Sequence, residues 1–93
     1  MNFQVFAKEN CEICRKAQDV LSRAGVVPQV RYVEGAAATP ENLADFAWLD
    51  WTDTPPLVVA SEGDKIVGRW DGTDIKTAWL PKVRRWLDEH QPA

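Results

Sequence analysis

Cys11 and Cys14 stand out in this chain for the chemistry they could do: they form a single C-x-x-C, and there is no other cysteine. A thiol is inert until it ionises, so its reactivity depends on what stabilises the thiolate. Immediately downstream, Ile13, Ala17, Val20, Leu21 and Ala24 recur at helical spacing and Gly25 supplies a stop, which puts Cys11 at the tip of a helix. The first turn of a helix presents unpaired N–H groups and the positive end of the macrodipole. Stabilisation of up to about 2 kcal/mol there lowers a thiol pKa by up to about 1.5, enough for a useful thiolate fraction at neutral pH. Lys8 acts in the same direction, while Glu9 and Glu12 act against it. Three-residue spacing brings Cys14 beside Cys11, within disulfide reach and one turn deeper. Attack and resolution can then be divided: Cys11 opens a substrate disulfide, and Cys14 displaces the product and closes an internal ring.

Two other readings of the pair stay open. Four-coordinate zinc needs two ligands more, and the one histidine, His90, lies near the C-terminus, so a zinc site requires dimerisation or carboxylate ligands. A structural or incidental pair is the second, although one short loop is a weak staple and a reducing compartment would open it.

The 93 residues amount to one domain by size, assigned here to 1–93, and 45% hydrophobic with 27% charged residues is a globular composition, not a disordered one. Eleven Lys and Arg against fourteen Asp and Glu give a net charge of -3 without a basic block, which argues against nucleic acid or an anionic membrane as partner. No apolar run approaches the roughly 18 residues of a membrane span. Phe3 to Ala7 is too short, and lacks the basic lead-in, for a secretory signal, so a cytoplasmic monomer is expected.

The elements that must position the cysteines follow from periodicity. Phe3 to Ala7 alternates as a first strand, and Phe6 implies that its other face is covered too, so this strand is central. Gln29 to Val33 reads as a second strand, and Thr39-Pro40 as the cap and first residue of a helix running to about Trp51. Leu57 to Ala60 is an apolar run buried on both faces, and Ser61 to Asp64 turns it into Lys65-Ile66-Val67 as an antiparallel hairpin. Beyond Gly68, with Asp71 or Thr73 as cap, Ile75, Trp79, Val83, Trp86 and Leu87 keep helical spacing, and Pro81 predicts a kink or restart. Trp79 and Trp86 belong to the core on this spacing. Trp48 and Trp51 are more open, and Trp51 either walls the thiol site or packs beneath the sheet. The order is strand, helix, strand, helix, strand, strand, helix, with a right-handed crossover between a parallel first pair.

With these residues in place the chain resembles the glutaredoxin branch of the thioredoxin-fold family over nearly its full length. Lys8-Glu9-Asn10-Cys11-Glu12-Ile13-Cys14-Arg15-Lys16-Ala17 is similar to that family's opening around C-P-Y-C, and Thr54-Pro55-Pro56-Leu57-Val58-Val59 to its T-V-P and third strand. The resemblance implies an α/β thioredoxin fold of βαβαββα order, with a four-stranded mixed sheet flanked by helices. It makes Pro56 a cis-proline that shapes a docking groove, the other reading of Pro55-Pro56 being a stiff loop with two trans bonds, and makes Cys11 and Cys14 the catalytic pair. Lys8, Thr54, Pro55, Pro56 and Asp71 become contacts to a protein or glutathione disulfide, with glutathione as a possible reductant and no bound cofactor. Pro55 keeps its carbonyl acceptor but has no N–H to offer a docked substrate strand. Asp53 stands where the family commonly has a basic residue that receives a glutathione carboxylate, and Trp51 replaces a glycine. Only Gly68 and Asp71 of Gly68-Arg69-Trp70-Asp71-Gly72 match the G-G-x-D-D pattern, and Arg69 is left as a replacement source of positive charge. Beside the enzyme reading stand a non-catalytic binding module docking through Trp51 and Pro56, and a metal or iron–sulfur site shared between two chains.

Overall fold

The computed structural model describes residues 1–90. Its elements are β1 (Asn2–Ala7), α1 (Glu12–Arg23), β2 (Gln29–Tyr32), α2 (Pro40–Leu49), β3 (Leu57–Glu62), β4 (Lys65–Asp71), α3 (Gly72–Lys76) and α4 (Trp79–His90). The strands form one mixed sheet in the order β2-β1-β3-β4, with β1 and β2 parallel and the other neighbours antiparallel. This is the expected α/β thioredoxin fold with β1 central.

The helix boundaries have local causes. Thr39 Oγ1 accepts from Asn42 N at 3.1 Å and Pro40 opens α2, as expected of a capped helix start. At the end of α1, Gly25 takes φ 83°, Gly25 N donates to Ser22 O and Val26 N to Leu21 O, which satisfies the last carbonyls in a Schellman motif. α2 stops at Leu49, short of Trp51, because Asp50 turns left-handed at φ 47°.

Three boundaries differ more substantially. β4 runs on to Asp71 instead of ending at Val67, since Gly68 is not a breaker. A Cβ there would sit 2.5 Å from the Trp70 ring and 3.0 Å from that of Trp86, so the glycine makes room for two indoles. β3 likewise extends through Glu62. The last helix is two: α3 ends at Lys76, Thr77 leaves the helical region, Ala78 takes φ 48°, and α4 restarts at Trp79. The break thus precedes Pro81. A continuous helix would drive the Pro81 ring into the Thr77 carbonyl, whereas in the first turn of a new helix its missing N–H costs nothing.

α1, α3 and α4 cover one face of the sheet, where Val5, Cys14, Leu21, Val58, Ile75, Trp79 and Val83 form the main core. Trp70 packs edge-on against Trp86 at 5.0 Å and Trp86 against Phe3 at 5.8 Å, so Trp86 joins Trp79 in this core as expected. The opposite face holds Phe6, Val33, Leu57 and Val59 beneath Phe46 and Leu49 of α2. α2 is also pinned by Arg31, which donates to Asn42 Oδ1, Gln4 Oε1 and Asp45 Oδ2 and stacks over Phe6.

Candidate active site

β1 delivers the chain to Lys8, and Asn10, at φ 55°, turns it into α1. Cys11 is the N-cap: its backbone is extended, its carbonyl accepts from Arg15 N at 3.2 Å, and its Sγ accepts from Cys14 N at 3.1 Å. The sulfur therefore occupies the position usually given to a Ser, Thr, Asn or Asp oxygen, against a donor whose partial charge favours a thiolate. Cys11 and Cys14 are joined as a disulfide, with Cα atoms 5.3 Å apart. Cys11 is 8% exposed and Cys14 1%, so the second sulfur lies deeper, as helical spacing predicts.

The Pro55–Pro56 bond is cis and both prolines are buried. They line a hollow of about 290 Å³ that also takes in Lys8, Cys11, Thr52, Thr54, Asp71 and Lys76. Every residue singled out for substrate contact thus meets Cys11 there, while Cys14 lines a second hollow of about 400 Å³, on which Lys8 and Cys11 also border. β4 brings Asp71 opposite Leu57, and Gly72 lies against the Pro56 ring: a Cβ there would be 3.5 Å from Pro56 Cδ. The Asp71 carboxylate is already engaged, since Oδ1 accepts from Thr73 N and Asp74 N, and Asp74 Oδ2 accepts in return from Asp71 N. This capping box opens α3.

Other expectations are redistributed. Glu9, read as opposing the thiolate, borders the second hollow with both cysteines, but its carboxylate is engaged: its Oε1 accepts from Ala36 N at 2.9 Å, and Gly35 at φ 94° makes room for the side chain. Glu12 remains exposed in the first turn of α1. Arg69 does not face the hollow but stacks on Trp51, 4.8 Å from its ring centroid. Trp51 does not wall the thiol site and is 49% exposed. Asp50 and Asp53 line an adjoining hollow of about 280 Å³ that shares Thr52 with the Cys11 hollow. Lys76 and Thr52 were missed in the sequence. Lys76 lines the site from the last position of α3, five residues beyond Asp71, and nothing in the residue pattern signals Thr52. Among the described residues, no group of three or more His, Cys, Asp or Glu side chains converges as a metal site.

No curated protein matches the chain. Among solved structures, thioredoxin 1 from the thermophilic eubacterium Thermosipho africanus TCF52B superposes with a TM-score of 0.59 over 96% of this chain and 97% of its own, at 18% identity, a likeness of fold. The family model Glutaredoxin matches residues 3–63, which takes in β1, the Cys11-x-x-Cys14 turn and helix, both central strands and the cis-proline. Over well more than half of its length, then, the sequence carries this pattern on the matching fold, and the chain belongs to the glutaredoxin family of thiol–disulfide oxidoreductases.

Proposed function

We propose that the chain is a dithiol–disulfide oxidoreductase that reduces protein or glutathione mixed disulfides, with Cys11 as nucleophile and Cys14 as resolver. The observation that carries this reading is the Cys11 sulfur, held at the tip of α1 by the Cys14 N–H and bordering the hollow formed by Thr54, Pro55, Pro56 and Asp71. In the reduced protein the Cys11 thiolate attacks one sulfur of the substrate disulfide, whose other sulfur leaves as a thiolate and takes up a proton. Cys14, deprotonated, then attacks Cys11 Sγ and expels the bound sulfur as the second product thiol. Two electrons have left the protein, which ends in the disulfide form seen here. Glutathione or a flavoprotein reductase restores the dithiol. Lys8 favours the thiolate electrostatically, and Pro55 offers only its carbonyl to a docked strand.

Cys14→Ser tests the division of labour. It is expected to arrest as a mixed disulfide on Cys11, seen by mass, when mixed with a disulfide substrate, whereas Cys11→Ser forms no adduct. Wild-type turnover, measured side by side with glutathione plus its reductase and with thioredoxin reductase, identifies the electron donor. Failure to turn over any disulfide with either donor refutes the enzyme reading.

A further inference from the structure

α2 is apolar nearly all round, its only charges being Glu41 and Asp45. Such a helix is ordinarily buried between layers, yet none of its residues is fully buried. Phe46 and Leu49 take the sheet side, while Trp48 is 79% and Leu43 47% exposed. Leu43, Ala44, Ala47 and Trp48 lie on successive turns of the helix, all exposed, and Trp51, exposed as well, follows beyond the left-handed turn at Asp50. A single exposed apolar residue needs no explanation, but a strip of two helical turns that ends at one tryptophan and is followed by another just past the helix does. The strip leads to the reactive sulfur: Ala47, Asp50 and Asp53 line the hollow that joins the Cys11 hollow through Thr52.

Charge selects the occupant. Residues 40–53 hold four carboxylates and no Lys or Arg, and Arg69 reaches this surface from β4 only over the Trp51 ring. Asp45 is bound to Arg31, and Asp50 and Asp53 take part in no ion pair among the described residues. A second copy of the chain would bring the same acids against these, and an anionic lipid surface would be repelled. We propose that the outer face of α2, with Asp50 and Asp53, docks a protein segment with an apolar face rimmed by Lys or Arg, and that this segment positions its own disulfide over Cys11. The inference rests on the oxidoreductase reading and narrows its substrate class to basic protein disulfides. Because Lys8 and Lys76 stand in the Cys11 hollow itself, the basic residues of the partner belong on the α2 flank, several positions from its cysteine.

Two synthetic disulfide peptides, identical around the cysteine and followed by a helical Leu/Arg or Leu/Glu segment, provide the test. The Leu/Arg peptide is expected to show a kcat/KM about tenfold higher through KM, the size of one interface anchor, with the advantage shrinking as salt is raised. Trp48→Ala and the pair Asp50→Asn/Asp53→Asn each abolish that advantage, and Trp48→Ala leaves turnover of a small neutral disulfide unchanged. A cysteine-free Leu/Arg peptide, titrated calorimetrically into the oxidised protein, binds in wild type and not in Trp48→Ala. Equal KM for the two peptides, a preference that survives both variants, self-association abolished by Trp48→Ala, or binding to zwitterionic vesicles in place of the peptide each overturns the proposal. Calorimetric binding without turnover of any disulfide upholds the docking face and removes the enzyme reading instead.

Discussion

Replacing Cys11 by Ala and by Ser separates the two things its sulfur does. Both variants lose the nucleophile and the disulfide, whose four-residue ring is worth about 2 kcal/mol in the chain-entropy description, so the proper reference is the reduced wild type. They differ in the cap. Cys11 Sγ accepts from Cys14 N at 3.1 Å at an extended N-cap, and Ser keeps an acceptor there whereas Ala leaves the first-turn donor unmet. At 8% exposure the Ser hydroxyl still reaches the hollow, so its proton need not be orphaned. Loss of such a cap costs about 1 kcal/mol, which for a domain of this size lowers Tm by roughly 4–8 °C. Thermal unfolding of the three reduced proteins at neutral pH, followed by far-ultraviolet circular dichroism, should therefore place Cys11→Ala several degrees below Cys11→Ser, with neither variant active. If Cys11→Ala proves as stable as Cys11→Ser, the N–H of Cys14 does not serve this position, and the same N–H cannot be invoked to stabilise a thiolate there.

Titrated by ultraviolet thiolate absorbance, the reduced Cys14→Ser protein should ionise below the ordinary thiol value of about 8.5; a value at or above it contradicts the electrostatic role of the helix tip. Arg31→Met removes three hydrogen bonds and the cation over Phe6, and is expected to cost about 2 kcal/mol in denaturant unfolding, less than a fully buried network would because Asp45 is half exposed. Native-state hydrogen exchange should show the loss concentrated in α2. Gly68→Ala forces its methyl into Trp70 and Trp86, so a destabilisation of about 1–3 kcal/mol with an altered near-ultraviolet spectrum is expected, and wild-type stability would mean that the indoles are not packed as described.

Much of the site was legible because its signals are local. A cysteine ahead of an apolar stripe, threonine and proline opening α2, and glycine closing α1 each act through neighbours within one turn, so residue order carries them. The hairpin of β3 and β4 follows the same logic, with Gly63 at φ 58° in the first central position of a two-residue turn. The apolar run Leu57 to Ala60 announced a doubly covered strand, which places the Pro55–Pro56 segment beside β1 and its cysteines.

What residue order could not convey is where side chains go when their partners are distant along the chain. Glu9 meets Ala36, 27 positions away, so that its carboxylate is tied to the connection between β2 and α2 by a backbone N–H. Arg69 spends its charge on Trp51. Gly68 is spacing for Trp86 and not a strand end. The helical stripe from Ile75 to Leu87 is unbroken in sequence because α3 and α4 bury the same side against α1, although the backbone between them is interrupted. Periodicity reports which face is dry; it says nothing of the helix break at Thr77 and Ala78, nor of an apolar α2 left with one side open. Hydrogen-bond rules and hydrophobic patterning thus dictated the reactive pair and the frame that carries it. Steric fit between residues far apart in the chain settled which charges surround that pair and which surface leads to it, because such fit exists only once the layers have closed.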